Sequence, residues 1–427
     1  VDIIYKTLEQ TGLTYDEGPD KPKGYGPYVQ SERLPMYKEY ADKLVDLGGA
    51  HYCFCTEEDI QKQRDYAQEH GIPFKFQDPC HNISTEEARA RIANGERYVV
   101  RQTVPTTGTV SFDDEVYGHI VVENNSLDEG VLLKSDGYPT YNFANVVDDH
   151  QMAISHVVRG NEYLSSTPKY NLIYQAYGWK PPVYVHVPPV MKDEHSKLSK
   201  RNGDASFQDL VAKGYLPAAI MNYIALLGWA PESENEIYSL KELEQVFSIS
   251  RISKSGAIFD IEKLKWMNGI YIRNLTLEQF HELALPYYKQ VITRDVDLME
   301  LSKALQPRVE TLNDILDNID FINEPLPFDA NLFTSKKMKT NPENSLEALK
   351  WTVGRLEEIE SFSDDEALMN CMMNLAVEKE VKNGRIMWPV RVALSFKSFT
   401  AGGAVELAHI LGKEESLRRI HAAIEQL

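Results

Sequence analysis

Three observations predict an α/β Rossmann-type catalytic domain with a parallel sheet, carrying an α+β insertion and followed by an all-α region. Apolar runs of strand length alternate with helical patterns over residues 131–190, the rhythm of βαβ units. Strand and helix signals are mixed over residues 49–125. Beyond residue 206, and throughout 276–427, apolar positions recur at helical spacing.

The chain opens in a helical pattern, with no Met, as though a helix were already under way. Turn residues then dominate 15–30, where Gly18, Pro19, Pro22, Gly24, Gly26 and Pro27 crowd together. A second helical pattern covers 31–47. An aromatic strand is expected around 51–55, a helix from Thr56 capped by Glu57 and Glu58, and strands near 98–104 and 116–122. The next stretch reads as Leu132–Leu133, a turn at 135–139, a helix from Thr140, a strand at 154–158, a helix over 167–177 and a strand over 183–187. Pro168 follows a hydroxyl residue, where a first helical turn favours it. Open parallel sheets bind ligands outside the carboxyl ends of their strands. Two polar loops are expected there, residues 159–162 and 191–204. Later helices are expected at 217–227, 240–247 and 259–269, the last stopped by Gly269, with breaks in the helical tail at 324–327 and 399–403. No fixed-period repeat is evident.

Composition narrows the function. The 427 residues carry 45 Lys+Arg against 64 Asp+Glu, a formal net charge of −19. That balance excludes coating of nucleic acid or anionic membrane by bulk charge, though not a local basic groove. No run approaches the ~18 apolar residues of a membrane span and the N-terminal residues lack the pattern of a secretory signal, so a cytoplasmic protein without membrane partners is expected. Three of the four cysteines lie close together, which suggests a metal site or chance more than a disulfide framework.

Lys197, Ser199, Lys200 and Arg201 form the sharpest cluster. Three cations and a hydroxyl on a loop at the sheet's carboxyl edge suit a triphosphate whose charge must be balanced as pyrophosphate leaves; a solvated basic turn is the plainer alternative. Tyr141 and Asn145 are four apart on a helix and share a face, while Arg159 and Glu162 leave the neighbouring strand. An Arg fork suits a carboxylate, and a Glu suits an ammonium or a ribose hydroxyl, so the four describe an amino-acid or aminoacyl-nucleotide pocket. Singly, each also reads as core or surface. Asp148, Asp149 and His150 read as a solvated structural cap. Cys53 and Cys55 project to one side of a strand, and Cys80 with His81 completes a tetrahedral zinc set. The alternative is three reduced thiols and a surface histidine.

Together these residues resemble the bacterial-type glutamyl-tRNA synthetases. The resemblance spans essentially the whole chain and rests on Gly26-Pro27-Tyr28 with Gln30-Ser31-Glu32-Arg33, Cys53-Phe54-Cys55-Thr56-Glu57-Glu58, the 137–150 and 158–169 stretches, 259–273, and Lys197 to Arg201 as a Lys-x-Ser-Lys-Arg loop. It implies ATP-dependent ligation of glutamate to tRNA through a glutamyl-adenylate, with Mg2+ accompanying ATP. By resemblance, Tyr141 and Asn145 bind the glutamate side, Arg159 its carboxylate, Glu162 lies near the adenylate, Lys197, Ser199, Lys200 and Arg201 meet ATP, and Lys197 and Lys200 act in catalysis. It divides the chain into a catalytic domain (1–25 and 126–206), an acceptor-end-binding insertion with the zinc site (26–125), a stem-contact helical domain (207–274) and a helical anticodon-binding region (275–427). The helical tail favours glutamate over the glutaminyl relatives that use β-barrels. Arg308 and Arg385 are candidate anticodon contacts, with surface salt bridges the plainer reading. Glutamate tRNA, and with it glutamine tRNA, are the partners to test.

Two departures qualify the resemblance. Nothing before Tyr28 matches the family's His-Ile-Gly-His type signature, which implies that half of the ATP site is missing and the chain as written is an incomplete, inactive fragment. A non-catalytic tRNA-binding paralogue is the alternative function. Cys80 and His81 are also adjacent, where zinc-bearing members have a residue between them.

Overall fold

The computed structural model describes residues 2–198 and 206–427. Helix α1 (Asp2–Thr11) leads into the turn-rich stretch, and α2 (Leu34–Asp46) follows with proline in its first turn and Tyr37, Ala41, Leu44 and Val45 buried. Strand β1 (Ala50–Cys53) feeds α3 (Glu57–Glu69). The cap differs from expectation: the Thr56 side chain accepts from the Asp59 amide and Asp59 answers on the Thr56 amide, a reciprocal capping box, with Glu57 and Glu58 in the first turn. After α4 (Thr85–Ala93) come β2 (Val99–Gln102), β3 (Thr109–Asp114), β4 (Gly118–Glu123) and β5 (Val131–Leu133). Then α5 (Tyr141–Gln151), β6 (His156–Gly160), α6 (Thr167–Tyr177) and β7 (Val183–Val187) complete the expected alternation.

Two sheets result. One is β1-β2-β5, all antiparallel. The other has the order β4-β3-β7-β6, with β6 and β7 parallel from His156↔Val183 to Gly160↔Val187, β3 parallel to β7 at Asp114↔Tyr184, and β4 antiparallel at the edge. Residues 26–125, read from sequence as one insertion, are therefore divided: β1 and β2 pair with β5, whereas β3 and β4 extend the parallel sheet. The expected strand at 154–158 is displaced by two residues, because its ladder with β7 continues to Gly160. Arg159 thus stands on the ladder, paired with His186 one position before its end, and not in the loop after it. Side chains of α2, α5, α6 and the antiparallel sheet share one core, including Tyr37, Leu44, Val100, Leu132, Phe143 and Tyr170. Each large apolar side chain fully buried there contributes about 1.5–3 kcal/mol, which fixes α5 and α6 and hence the residues they present at the sheet edge.

A short parallel pair, β8 (Val190–Met191) with β9 (Ala257–Ile258), ties the segment after β7 to the helical part. Between them lie α7 (Phe207–Ala212), α8 (Pro217–Leu226) and α9 (Leu240–Val246). Helix α10 (Ile261–Asn274) is capped by Asp260 and passes through Gly269, which the sequence marks as its end. A Cβ on Gly269 would sit 3.0 Å from Arg273 Nη1 and 3.4 Å from Glu310 Cγ, so two side chains cover this glycine within a continuing helix. Helices α11 (Leu277–Val291), α12 (Leu298–Leu305), α13 (Asp314–Ile319), α14 (Pro342–Glu357), α15 (Asp365–Glu378), α16 (Gly384–Ser395) and α17 (Ala404–Gln426, broken at Gly412) form the tail around one apolar core. Among the described residues no helix is long and apolar enough to cross a membrane.

Candidate active site

The carboxyl ends of β6 and β7 carry a half-buried guanidinium. Arg159 lies 5.1, 5.0 and 5.6 Å from the ring centroids of Tyr163, Tyr170 and Tyr184. Its Nε donates to His186 Nε2 at 3.1 Å and one Nη2 hydrogen goes to Thr167 Oγ1 at 2.9 Å. Aromatic faces hold the cation in place, and a low dielectric strengthens its attraction for an anion. What the arrangement can do is receive a carboxylate.

Beside it, α5 presents Tyr141 and Asn145. Tyr141 is exposed at the helix start, its ring 5.4 Å from that of Tyr163. Both amide atoms of Asn145 are buried without a hydrogen-bond partner, close to the Tyr170 hydroxyl, which itself donates to Asn142. A buried, unsatisfied carboxamide costs about 1–3 kcal/mol, a cost that a polar ligand would offset. Glu162 opens the turn after β6, and its carboxylate folds back over Gly160 so closely that a Cβ there would lie 2.1 Å from Oε2. A side chain at this position would push the Glu162 carboxylate out of that pose.

The acidic pair that follows is not a solvated cap. Asp148 accepts from Arg33 Nε at 2.9 Å and from the Tyr37 hydroxyl at 2.8 Å, joining α2 to α5. Burial pushes the Asp149 carboxyl up to about 6, Arg159 draws it back, and Asp148 adds to the rise. The Tyr174 and Tyr184 hydroxyls are buried without a hydrogen-bond partner and lie near enough to Asp149 and Arg159 to feel their charges.

Lys197 is exposed on the hairpin that begins with β8. It bridges to Met191, and the intervening turn is closed by Asp193, which accepts from the His195 and Ser196 amides at 2.8 Å each. The other members of the cluster, Ser199, Lys200 and Arg201, lie outside the described residues.

The cysteines do converge, but with a different fourth donor. Cys53, Cys55, Cys80 and Asp78 place donor atoms within 4.8 Å of one another, and His81 belongs to a separate group with His51 and Glu129. Pro79 starts a short 3-10 turn in which Cys80 N donates to Asp78 Oδ1 at 2.9 Å, and this turn sends His81 outward to pair with Glu129 at 2.6 Å. These residues fit a zinc ion. Metal–sulfur bonds of ~2.3 Å in a tetrahedron set sulfurs about 3.8 Å apart, and Cys55 and Cys80 are separated by 3.8 Å. Burial pushes the Cys53 thiol up to about 12, so thiolates here need a cation. Arg101, at 3.3 Å from Asp78, offsets part of the excess negative charge of such a set, and His51 contacts the same carboxylate at 3.0 Å.

In the helical tail, Arg308 is exposed and donates to Ala304 O at 2.8 Å. Arg385 faces Glu347 at 3.8 Å, with Nη1 buried and unpartnered. Sequence reasoning overlooked Asp78, Asp114, Thr167 and His186. A histidine in an otherwise apolar strand and an aspartate closing an alternating one are the signals that mark His186 and Asp114.

Comparisons with known proteins identify the family. The family described as "tRNA synthetases class I (E and Q), catalytic domain" matches residues 1–266, and an "Anticodon binding domain" matches 279–424. The chain is 55% identical to a "Glutamate--tRNA ligase" of Clostridium botulinum over 427 residues, covering 100% of this chain and 88% of the relative, and 55% identical to that of Clostridium acetobutylicum with the same coverage. That coverage gives no support to the expectation of an inactive fragment. Among solved structures, a glutamate tRNA ligase from Elizabethkingia meningosepticum in complex with its amino acid superposes with a TM-score of 0.90 at 29% identity, over 100% of this chain and 89% of that one. The glutamate-tRNA synthetase of Elizabethkingia anophelis gives a TM-score of 0.87 at 30% identity, over 99% and 89%. The chain belongs to the class I tRNA synthetases of the E and Q group, with a catalytic domain followed by an anticodon-binding domain.

Proposed function

We propose that this protein ligates L-glutamate to the 3′ end of glutamate tRNA at the expense of ATP. A glutamate carboxylate oxygen attacks the α-phosphorus, pyrophosphate leaves, and a hydroxyl of the terminal ribose then attacks the adenylate carbonyl and releases AMP. The observation that carries the reading is the caged guanidinium of Arg159 beside the unsatisfied amide of Asn145, in a chain so similar to glutamate–tRNA ligases. Arg159 takes a glutamate carboxylate, Tyr141 and Asn145 flank the amino acid, and Glu162 faces the adenylate. Lys197 and Lys200 balance the phosphates together with Ser199 and Arg201, and Mg2+ accompanies ATP. Residues 26–125, 207–274 and 275–427 are assigned to the acceptor end, the stem and the anticodon arm, and a cytoplasmic location suits tRNA charging. Cys53, Cys55, Cys80 and Asp78 would hold a structural zinc, which would pin a part of the molecule with little core of its own.

The complete gene product should exchange pyrophosphate into ATP only when both glutamate and tRNA are present. No exchange, or exchange without dependence on glutamate, contradicts the proposal. Charging of glutamine tRNA in parallel decides how broad the specificity is.

A further inference from the structure

We infer that His186 is a positioning residue that sets the orientation of Arg159, and that Asp114 sets the proton on His186 that makes this work. The inference rests on the reading of Arg159 as the carboxylate-binding group. Three tyrosine rings surround the guanidinium, but rings restrain it weakly about its own axis. Direction comes from two contacts, Nε to His186 Nε2 at 3.1 Å and Nη2 to Thr167 Oγ1 at 2.9 Å. Those contacts consume one edge of the fork. Nη1 has no protein acceptor among the described residues, so Nη1 and the second Nη2 hydrogen remain as a planar pair of donors, the geometry that a carboxylate takes up.

The proton arrangement follows from elementary donor rules. A guanidinium can only donate, so His186 Nε2 must accept and the imidazole proton must sit on Nδ1. There it meets Asp114 Oδ2 at 2.6 Å, and that oxygen also accepts from the His186 amide at 3.1 Å. The second oxygen, Oδ1, accepts from the Val116 and Tyr117 amides at 3.0 and 2.8 Å. Asp114 is therefore anchored at the β3–β4 turn and cannot rotate to serve another tautomer. His186 and Asp114 are 0% and 3% exposed, and burial lowers the His186 pKa, consistent with a neutral ring. A buried imidazole with an aspartate behind it, joined to a ligand-facing arginine, has more than a filling role. It holds a long, otherwise rotamer-rich side chain in one pose before the substrate arrives.

Two substitutions separate the halves of this device. In His186→Gln the amide oxygen can take the place of Nε2 as acceptor for Arg159; in His186→Asn the shorter amide can still serve Asp114 but cannot reach Arg159. Steady-state aminoacylation by the complete gene product should show the KM for glutamate raised ~10-fold or more in H186N, with the KM for ATP little changed, and brought back to within ~3-fold of wild type in H186Q. Thermal unfolding of both variants shows whether they fold. Asp114→Asn, nearly isosteric, supplies an independent arm: its amide donates to Nδ1, forces the proton onto Nε2 and turns a donor toward Arg159, so it should raise the glutamate KM as H186N does. Equal glutamate KM values in H186N and H186Q, or a wild-type value in D114N, overturn the proposal while Arg159→Ala still raises the KM. If Arg159→Ala leaves the glutamate KM unchanged, the reading of Arg159 itself fails, and the role of His186 falls with it.

Discussion

Asp149 offers a prediction whose size can be worked from the structure. Its carboxyl is raised from 3.8 to about 6 by burial, net of Arg159 and Asp148. The folded-state value lies above the unfolded one, so the folded protein binds more protons between the two. Stability contributed by the protonated group is thus fully present below about pH 4 and is lost as pH rises through about 6. A shift of about two units corresponds to about 3 kcal/mol at most, since each unit is 1.36 kcal/mol. Asp149→Asn mimics the protonated form at every pH. Urea unfolding of wild type and variant should coincide near pH 4, diverge between pH 4 and 6, and show the variant more stable by up to about 3 kcal/mol at pH 8. A difference that does not change with pH, or a variant less stable at pH 8, refutes the reasoning.

Other consequences are as direct. Arg419, 1% exposed, pairs with Glu415 and donates to the carbonyls of Phe321, Ile322 and Leu394; R419M strands these acceptors and should lower the stability of the helical tail by about 3–5 kcal/mol in urea unfolding. Lys200→Ala should slow adenylate formation by about 2 kcal/mol or more of transition-state stabilisation, read by pyrophosphate exchange, and a wild-type rate would leave the loop without that role. Metal analysis of the purified protein should find about one zinc per chain. Cys80→Ala and Asp78→Ala should each reduce it sharply and His81→Asn should not, whereas loss in H81N alone would restore His81 as the ligand.

Where the sequence and the structure agree, local signals decide the outcome. Helix α6 and strand β7 begin and end where proline placement and apolar run length put them. Helix α5 was equally plain, and with it the shared face of Tyr141 and Asn145. Strand β3 alternates buried and exposed residues along its six positions, yet its partner β7 is some seventy residues away and nothing local announces that pairing. The same distance hides the Asp114–His186 contact: a histidine in an apolar strand reads as core until the opposite strand is known. The candidate zinc donors show a different limit. Spacing brought three cysteines together, but the choice between Asp78 and His81 depends on which way a four-residue turn winds after Pro79, and ligand spacing does not encode that. Glycines mislead similarly, since Gly269 ends nothing and instead lies under two side chains within a continuing helix.

The central claim is tested most directly by offering the complete gene product radiolabelled glutamate, ATP, Mg2+ and glutamate tRNA, and counting label in acid-precipitated tRNA. Label released by mild alkali, absent with periodate-oxidised tRNA, and strongly reduced in R159A is the predicted result. Label that fails to appear with intact tRNA, or that appears equally in R159A, contradicts the account.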